Sequence, residues 1–257
     1  MMHRVERLAS RLTSIVSSWP GVECVLSCEA SETDVLDPYF ALVLDIYCNG
    51  PIPGSDERQS CFENPGAFES SRSGEKDRFF IDGLPIRLEY KRAKNIEELV
   101  SNSFDTMWIF GVSGTYMLHR LVHGTALYTK SDWLTRMRSA LAESPAEFWA
   151  RLCETYQQKL EHSLSDLGGA ALKDDKYFYF VSLAGFMRSC VSALFAMNRQ
   201  WEPSERHMTD ALLTLPSLPD DFAGRWSTLV RTDGSVDPAK RYQIAGLIAR
   251  SIFSLVL

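Results

Sequence analysis

Two carboxylates set in apolar, strand-like runs are the residues best placed to do chemistry. Asp45 lies between Leu44 and Ile46 in Phe40-Ala-Leu-Val-Leu-Asp-Ile-Tyr47, and Glu89 lies between Leu88 and Tyr90. A carboxylate in such a run is costly to bury unless it meets a cation or a hydrogen-bond network. From Leu12 to Glu57 the chain carries eight carboxylates (Glu23, Glu29, Glu32, Asp34, Asp37, Asp45, Asp56, Glu57) and no Lys or Arg. A divalent metal is therefore the first partner to consider, with Asp37, just before Pro38, and Glu29 as further ligands. The competing partner is a cation of the chain itself, Arg87 or Lys91 from the neighbouring run.

Other chemistries find little support. His119-Arg-Leu-Val-His123 has the i, i+4 spacing of a zinc helix but lacks the Glu after the first His and marks no third ligand. There is no Gly-x-Ser-x-Gly elbow, no Gly-x-Gly-x-x-Gly and no P-loop, and Ser131 reads as a helix cap. The six cysteines (24, 28, 48, 61, 153, 190) contain no Cys-x-x-Cys pair and read as free thiols. Trp108, Tyr116, Phe178, Tyr179 and Phe180 read as packing, not as a base-stacking platform.

The net charge of -6 is concentrated N-terminally, where residues 1–100 hold 17 acids against 11 bases. Such a balance argues against nucleic acid as a partner, because that binding is driven by Lys and Arg neutralising phosphates. Met-Met-His-Arg-Val-Glu-Arg is charged and runs into an amphipathic pattern, so no secretory signal is visible and a cytoplasmic location is expected. No membrane partner is expected either. The most apolar helix, 177–199, carries Arg188 at its centre and reads as bundle core.

The elements that would position these residues follow from periodicity. Val5, Leu8, Leu12, Ile15 and Val16 predict a first helix, stopped by Trp19-Pro20-Gly21. Strands are expected at 22–28 and 40–48, and a polar surface excursion over 54–77. Arg78-Phe-Phe-Ile81, Asp82-Gly83 and Leu84-Pro-Ile-Arg-Leu-Glu-Tyr90 predict a hairpin, since Asp-Gly supplies the positive φ of a tight turn. Its second arm alternates Ile86, Leu88 and Tyr90 on one face with Arg87 and Glu89 on the other. From Asn95 onward the pattern is helical, with a start at Ser144-Pro145-Ala146-Glu147. The expectation is an α+β chain of two domains: a mixed sheet with flanking helices over 1–100 and a helical bundle over 101–257.

This order of helix, strand, acidic loop, Asp-bearing strand, hairpin with a carboxylate, and bundle resembles the nucleotidyltransferase superfamily of the kanamycin and lincosamide adenylyltransferase type. The specific motifs lie in residues 25–47 and 86–90. The resemblance implies a nucleoside triphosphate bound with Mg²⁺ between the domains and transfer of the nucleotide to a small-molecule hydroxyl. Asp45 and Glu89 would be the catalytic and metal-holding pair, with Asp37 completing the metal shell. Clustered carboxylates suit that chemistry because two divalent ions must bridge the triphosphate and the attacking hydroxyl. Ser27 or Ser31 would contact phosphate, and Arg188 and Arg206 would offer charge to the nucleotide, with an Asn on the long helix, Asn198, beside them. The match is partial. The family's Gly-Ser is Ala30-Ser31 or Ser27-Cys28 here, and the second acid of its paired motif is Val43 or Tyr47. A second reading follows: a catalytically degenerate member that works as a ligand-binding or protein-interaction module, its bundle presenting a homodimer surface.

Overall fold

The computed structural model describes residues 4–30, 42–63 and 65–255. In chain order the elements are helix α1 (Arg4–Ser17), strands β1 (Val22–Ala30) and β2 (Leu42–Cys48), helix α2 (Ser55–Cys61), strands β3 (Gly66–Ser70), β4 (Lys76–Ile81) and β5 (Leu84–Arg92), helices α3 (Ala93–Ser101), α4 (Met107–Ser113) and α5 (Tyr116–His123), strand β6 (Thr125–Thr129), and helices α6 (Trp133–Ala142), α7 (Ala146–Lys173), α8 (Lys176–Met197), α9 (Met208–Leu213), α10 (Phe222–Leu229) and α11 (Pro238–Ser254). The architecture is α+β: a six-stranded mixed sheet with flanking helices in the N-terminal half, followed by a helical region.

The sheet runs β3-β4-β5-β2-β1-β6. Only β2 and β5 pair in parallel, and every other neighbouring pair is antiparallel. One face is apolar because alternate residues of the central strands are Leu44, Ile46, Ile86 and Leu88, all fully buried. The amphipathic stripe Val5, Leu8, Leu12 and Val16 of α1 belongs to the same core, together with Phe62 and Phe79. The β4–β5 turn is Asp82-Gly83 as expected, with φ of 51° and 77°. Gly21 ends the α1–β1 connection against the β2–α2 turn; a Cβ there would sit 2.5 Å from the Pro51 carbonyl oxygen.

Two regions differ from the sequence expectation. The polar stretch 54–77 is not a surface excursion: it forms α2, β3 and the start of β4. The cause is a buried salt bridge that local composition hides. Asp77, fully buried, accepts from Arg58 Nε at 2.7 Å and Nη2 at 2.9 Å, and from the Tyr90 hydroxyl at 2.8 Å. Arg58 also donates to the Pro53 carbonyl and the Ser70 hydroxyl, so the whole crossover between the parallel strands is tied to one guanidinium. The second difference is β6, a strand where a helical pattern was expected. It is a short edge strand with no apolar alternation, held by pairing with β1.

The chain divides into two compact units, 1–103 with 119–143, and 104–118 with 144–257. Where one boundary near residue 100 was expected, the segment 119–143 therefore returns to the sheet unit. In the other unit α7 and α8 form an antiparallel hairpin turned by Asp174 at φ 51°, and the Asp175 side chain caps α8 by accepting from Phe178 N at 3.0 Å. α7 starts at Ala146, after Pro145, a residue later than its capping pattern implied. α8 is long and apolar enough to cross a membrane by length and composition alone; its buried residues include Phe186, Cys190, Ala193 and Leu194.

Removing one partner of a buried, fully bonded pair leaves the other uncompensated. Arg58→Met is expected to lower unfolding free energy by about 3–5 kcal/mol, and Arg58→Met/Asp77→Leu to recover part of that loss. Urea denaturation of the two variants decides; a single variant within about 0.5 kcal/mol of the parent, the range of an ordinary surface change, would refute this role for the pair.

Candidate functional site

The site lies on the second face of the sheet. The parallel register sets Asp45 of β2 beside Glu89 of β5, so the two sequence-predicted carboxylates are neighbours. Asp45 is fully buried. Its Oδ2 accepts from Lys91 Nζ at 2.6 Å, and its Oδ1 from Arg120. The same guanidinium donates through Nη1 to Glu89 Oε2 at 3.0 Å. Glu89 Oε1 faces Arg87 Nε at 3.2 Å and Lys76 Nζ at 3.4 Å, and its Oε2 is 3.7 Å from Lys91 Nζ. Two carboxylates thus meet four cations. The Tyr47 hydroxyl and the Cys28 thiol complete the shell of Asp45 Oδ2 at 3.5 and 3.4 Å.

Local structure explains why Arg120 arrives there. It sits near the end of α5, in the segment that rejoins the sheet unit just before β6. Gly124 ends the helix with its N–H on the Arg120 carbonyl at 2.8 Å. A Cβ at Gly124 would lie 2.6 Å from that oxygen and 3.2 Å from Leu26 Cβ, so glycine alone permits this approach to β1. Arg138 of α6 donates to the carbonyls of Leu121 and Gly124, satisfying the last turn. Trp133, also of α6, packs on Tyr47 with ring centroids 5.1 Å apart.

The electrostatics follow from this packing. Burial by itself would raise the Glu89 carboxyl, but Arg120, Lys91, Arg87 and Lys76 outweigh it and hold the group at about 2. Burial would also discharge Arg120; Asp45, Cys28 and Glu89 reverse that, so the guanidinium stays charged. Burial and the Asp45 charge push the Cys28 thiol up to about 12 and the Tyr47 phenol well above its usual range. Both are therefore neutral hydrogen-bond donors at neutral pH, unsuited to nucleophilic or base roles.

Mg²⁺ does not fit this arrangement. A divalent ion needs anionic oxygens with free lone pairs, and the oxygens of Asp45 and Glu89 are all held by cations of the protein. Among the described residues no group of three or more His, Cys, Asp or Glu could hold a metal. Asp37 and Ser31 lie outside the described residues. Ser27 pairs in register with Leu44, which places it on the α1 face, away from Asp45. His119 and His123 stack with centroids 4.5 Å apart, and burial lowers His119 to about 4.

The remaining expected residues belong to the helical unit. Arg188 is exposed and paired with Glu205 at 2.8 Å, and Arg206 is exposed with its backbone N–H on Ser204. Asn198 closes α8 instead of waiting for a ligand: its side chain donates to the Leu194 and Ser217 carbonyls and accepts from Ser217 N, each at 2.8 Å. Arg120 is the residue that sequence reasoning missed. The available signal was a cation inside the apolar helical run Tyr116-Met-Leu-His-Arg-Leu-Val, which needs a buried anion as much as Asp45 needs a cation.

Residues 112–207 match the model of a family described as a domain of unknown function, DUF4037. No curated protein matches the chain. Among solved structures, it is similar to a nucleotidyltransferase-like protein from Exiguobacterium sibiricum 255-15, at 12% identity and a TM-score of 0.49, over 95% of this chain and 73% of that one.

Because Glu89 sits below its ordinary 4.5, the stability it contributes is full above that value and lost as pH falls toward about 2. Urea midpoints are expected to drop across this window, by on the order of 3 kcal/mol in unfolding free energy for this group, and Glu89→Gln should flatten that part of the profile. Arg120→Met leaves two carboxylates short of their shared cation and should cost about 3–5 kcal/mol at pH 7. A variant as stable as the parent would show that Arg120 does not compensate the pair.

Proposed function

We propose that this chain is a nucleotidyltransferase-like protein in which the chain's own cations have replaced the divalent metals, and that it works by binding a ligand, not by nucleotidyl transfer. The observation that carries the reading is the pairing of Asp45 and Glu89 with Arg120, Lys91, Arg87 and Lys76. The likeness of layout is supported by the element order and by the in-register carboxylates on parallel strands. The loss of transfer chemistry is supported by a charge argument. Phosphoryl-type transfer needs metals to neutralise charge developing on phosphate, and recruiting them here would require breaking at least two buried ion pairs. Val43 and Tyr47 stand where a second acid of the motif would help.

The alternative, an NTP and Mg²⁺ enzyme acting on a small-molecule hydroxyl, requires Asp45 and Glu89 to be released from their cations. Its partners would be a nucleoside triphosphate and an acceptor. Calorimetric titration of the full chain with ATP, GTP, CTP and UTP separates the two. The expected result is no binding that depends on Mg²⁺ and no pyrophosphate release. Mg²⁺-dependent binding of any one nucleotide, abolished by Asp45→Asn, would overturn the proposal and establish the alternative.

A further inference from the structure

Asp45 and Asp77 are buried against cations, whereas Glu202, in the helical unit, is buried without one. It is 8% exposed and forms no ion pair among the described residues. Its Oε1 has no hydrogen-bond partner among them either, and its Oε2 accepts from Thr115 N at 3.3 Å. The chain around it explains the placement. α8 ends in a Schellman-type turn: Arg199, at φ 52°, donates to the Ala196 carbonyl and Gln200 N–H reaches the Phe195 carbonyl, each at 3.0 Å. Pro203 then biases Glu202 toward an extended backbone, and the preceding Trp201 packs on Trp149 with ring centroids 4.4 Å apart.

What Glu202 holds is the junction between α4 and α5. Its N–H donates to Thr115 Oγ1 at 2.9 Å while the Thr115 N–H donates back to the carboxyl, so the two residues bond reciprocally. Gly114 closes α4 with its N–H on the Phe110 carbonyl at 2.8 Å and a φ of 69°. A Cβ at Gly114 would lie 2.6 Å from Glu202 Oε2, so glycine is what admits the carboxyl. Tyr156 of α7 donates to the same Phe110 carbonyl at 3.0 Å. Thr115 directly precedes α5, the helix that bears Arg120.

A carboxylate with an orphan oxygen and no cation is costly to ionise in place. Burial holds the Glu202 carboxyl above its ordinary 4.5, and the Glu205 charge adds to this; Ser192, the Thr115 N–H and Arg188 act the other way without outweighing it. Arg188 is exposed and already paired with Glu205, Lys159 of α7 is bonded to the Gly111 carbonyl, and burial keeps Tyr156 neutral. None of these groups offers Glu202 a buried positive charge.

We propose that Glu202 is a protonation-controlled latch: the neutral acid keeps Gly114-Thr115 on the end of α8, and loss of its proton to solvent drives the carboxylate out of the buried position and frees the start of α5. The sign is that of an acid favoured in its protonated form by the folded state. The latch is closed below the ordinary 4.5 and opens as pH rises through the raised value.

Hydrogen exchange of the Thr115 and Glu202 amides, corrected for the intrinsic pH dependence of exchange, reads the latch directly across about pH 5 to 9, above the ordinary carboxyl range. Protection should fall by up to about tenfold per pH unit once the group ionises. The Asn49 amide, bonded to the Gly21 carbonyl in the sheet unit, should keep its protection. Glu202→Gln, an uncharged isostere, should hold the latch closed at every pH. Carbon NMR titration of the parent's side-chain carboxyls gives a readout that does not depend on the variant folding, with the Glu202 midpoint expected above 4.5 and matching the loss of protection. Protection that does not change with pH in the parent, that falls equally in Glu202→Gln or at Asn49, or a Glu202 carboxyl titrating at or below 4.5 would overturn the latch.

Discussion

Placing a carboxylate in the middle of a central strand is the constraint around which the sheet unit is arranged. Asp45 is buried completely, flanked by β5 on one side and β1 on the other, and it is bonded to a guanidinium that arrives from α5. An uncompensated charge at that depth would not persist in a folded protein. The chain therefore has to return to the sheet after leaving it for the other unit. The helix end at Gly124, the two carbonyl contacts of Arg138 and the Trp133 ring on Tyr47 all serve to hold that returning segment against β1 and β2.

A second charged residue, Asp77, solves the same problem on the opposite face in a different way. Its partner Arg58 comes from the crossover that parallel pairing of β2 and β5 demands, since parallel neighbours cannot be joined by a tight turn. Buried pairs of this kind are weak sources of net stability but costly to mismatch. Both therefore act chiefly on register. A one-residue slip of β4 would carry Asp77 off Arg58 and Tyr90, and a slip of β5 against β2 would carry Glu89 out of reach of Arg120.

Function follows from what the polar face has been made into. In-register carboxylates on parallel strands can gather metal ions when their oxygens are free. Here Arg120 of α5 and the strand residues Lys76, Arg87 and Lys91 occupy those oxygens. The proposed change from metal-assisted chemistry to ligand binding needs no change of fold, since function depends on the groups grafted on it.

Local patterns in the sequence were enough to determine α1, the Asp82-Gly83 turn and the facing of Glu89, because helical spacing, a positive-φ dipeptide and strand alternation are set by neighbours along the chain. They also identified Asp45 as a residue in need of a cation. The polar run 54–77 and the strand Thr125–Thr129 were not legible, since each is held by distant partners, Arg58 on Asp77 and β6 on β1, and carries no periodic signal of its own. Which cation would reach Asp45 was decided only by tertiary structure. Lys91 was within the adjacent arm and could be anticipated, but Arg120 lies 75 residues away along the chain. Coulomb attraction depends on distance in space, and only the return of α5 to the sheet made that distance short.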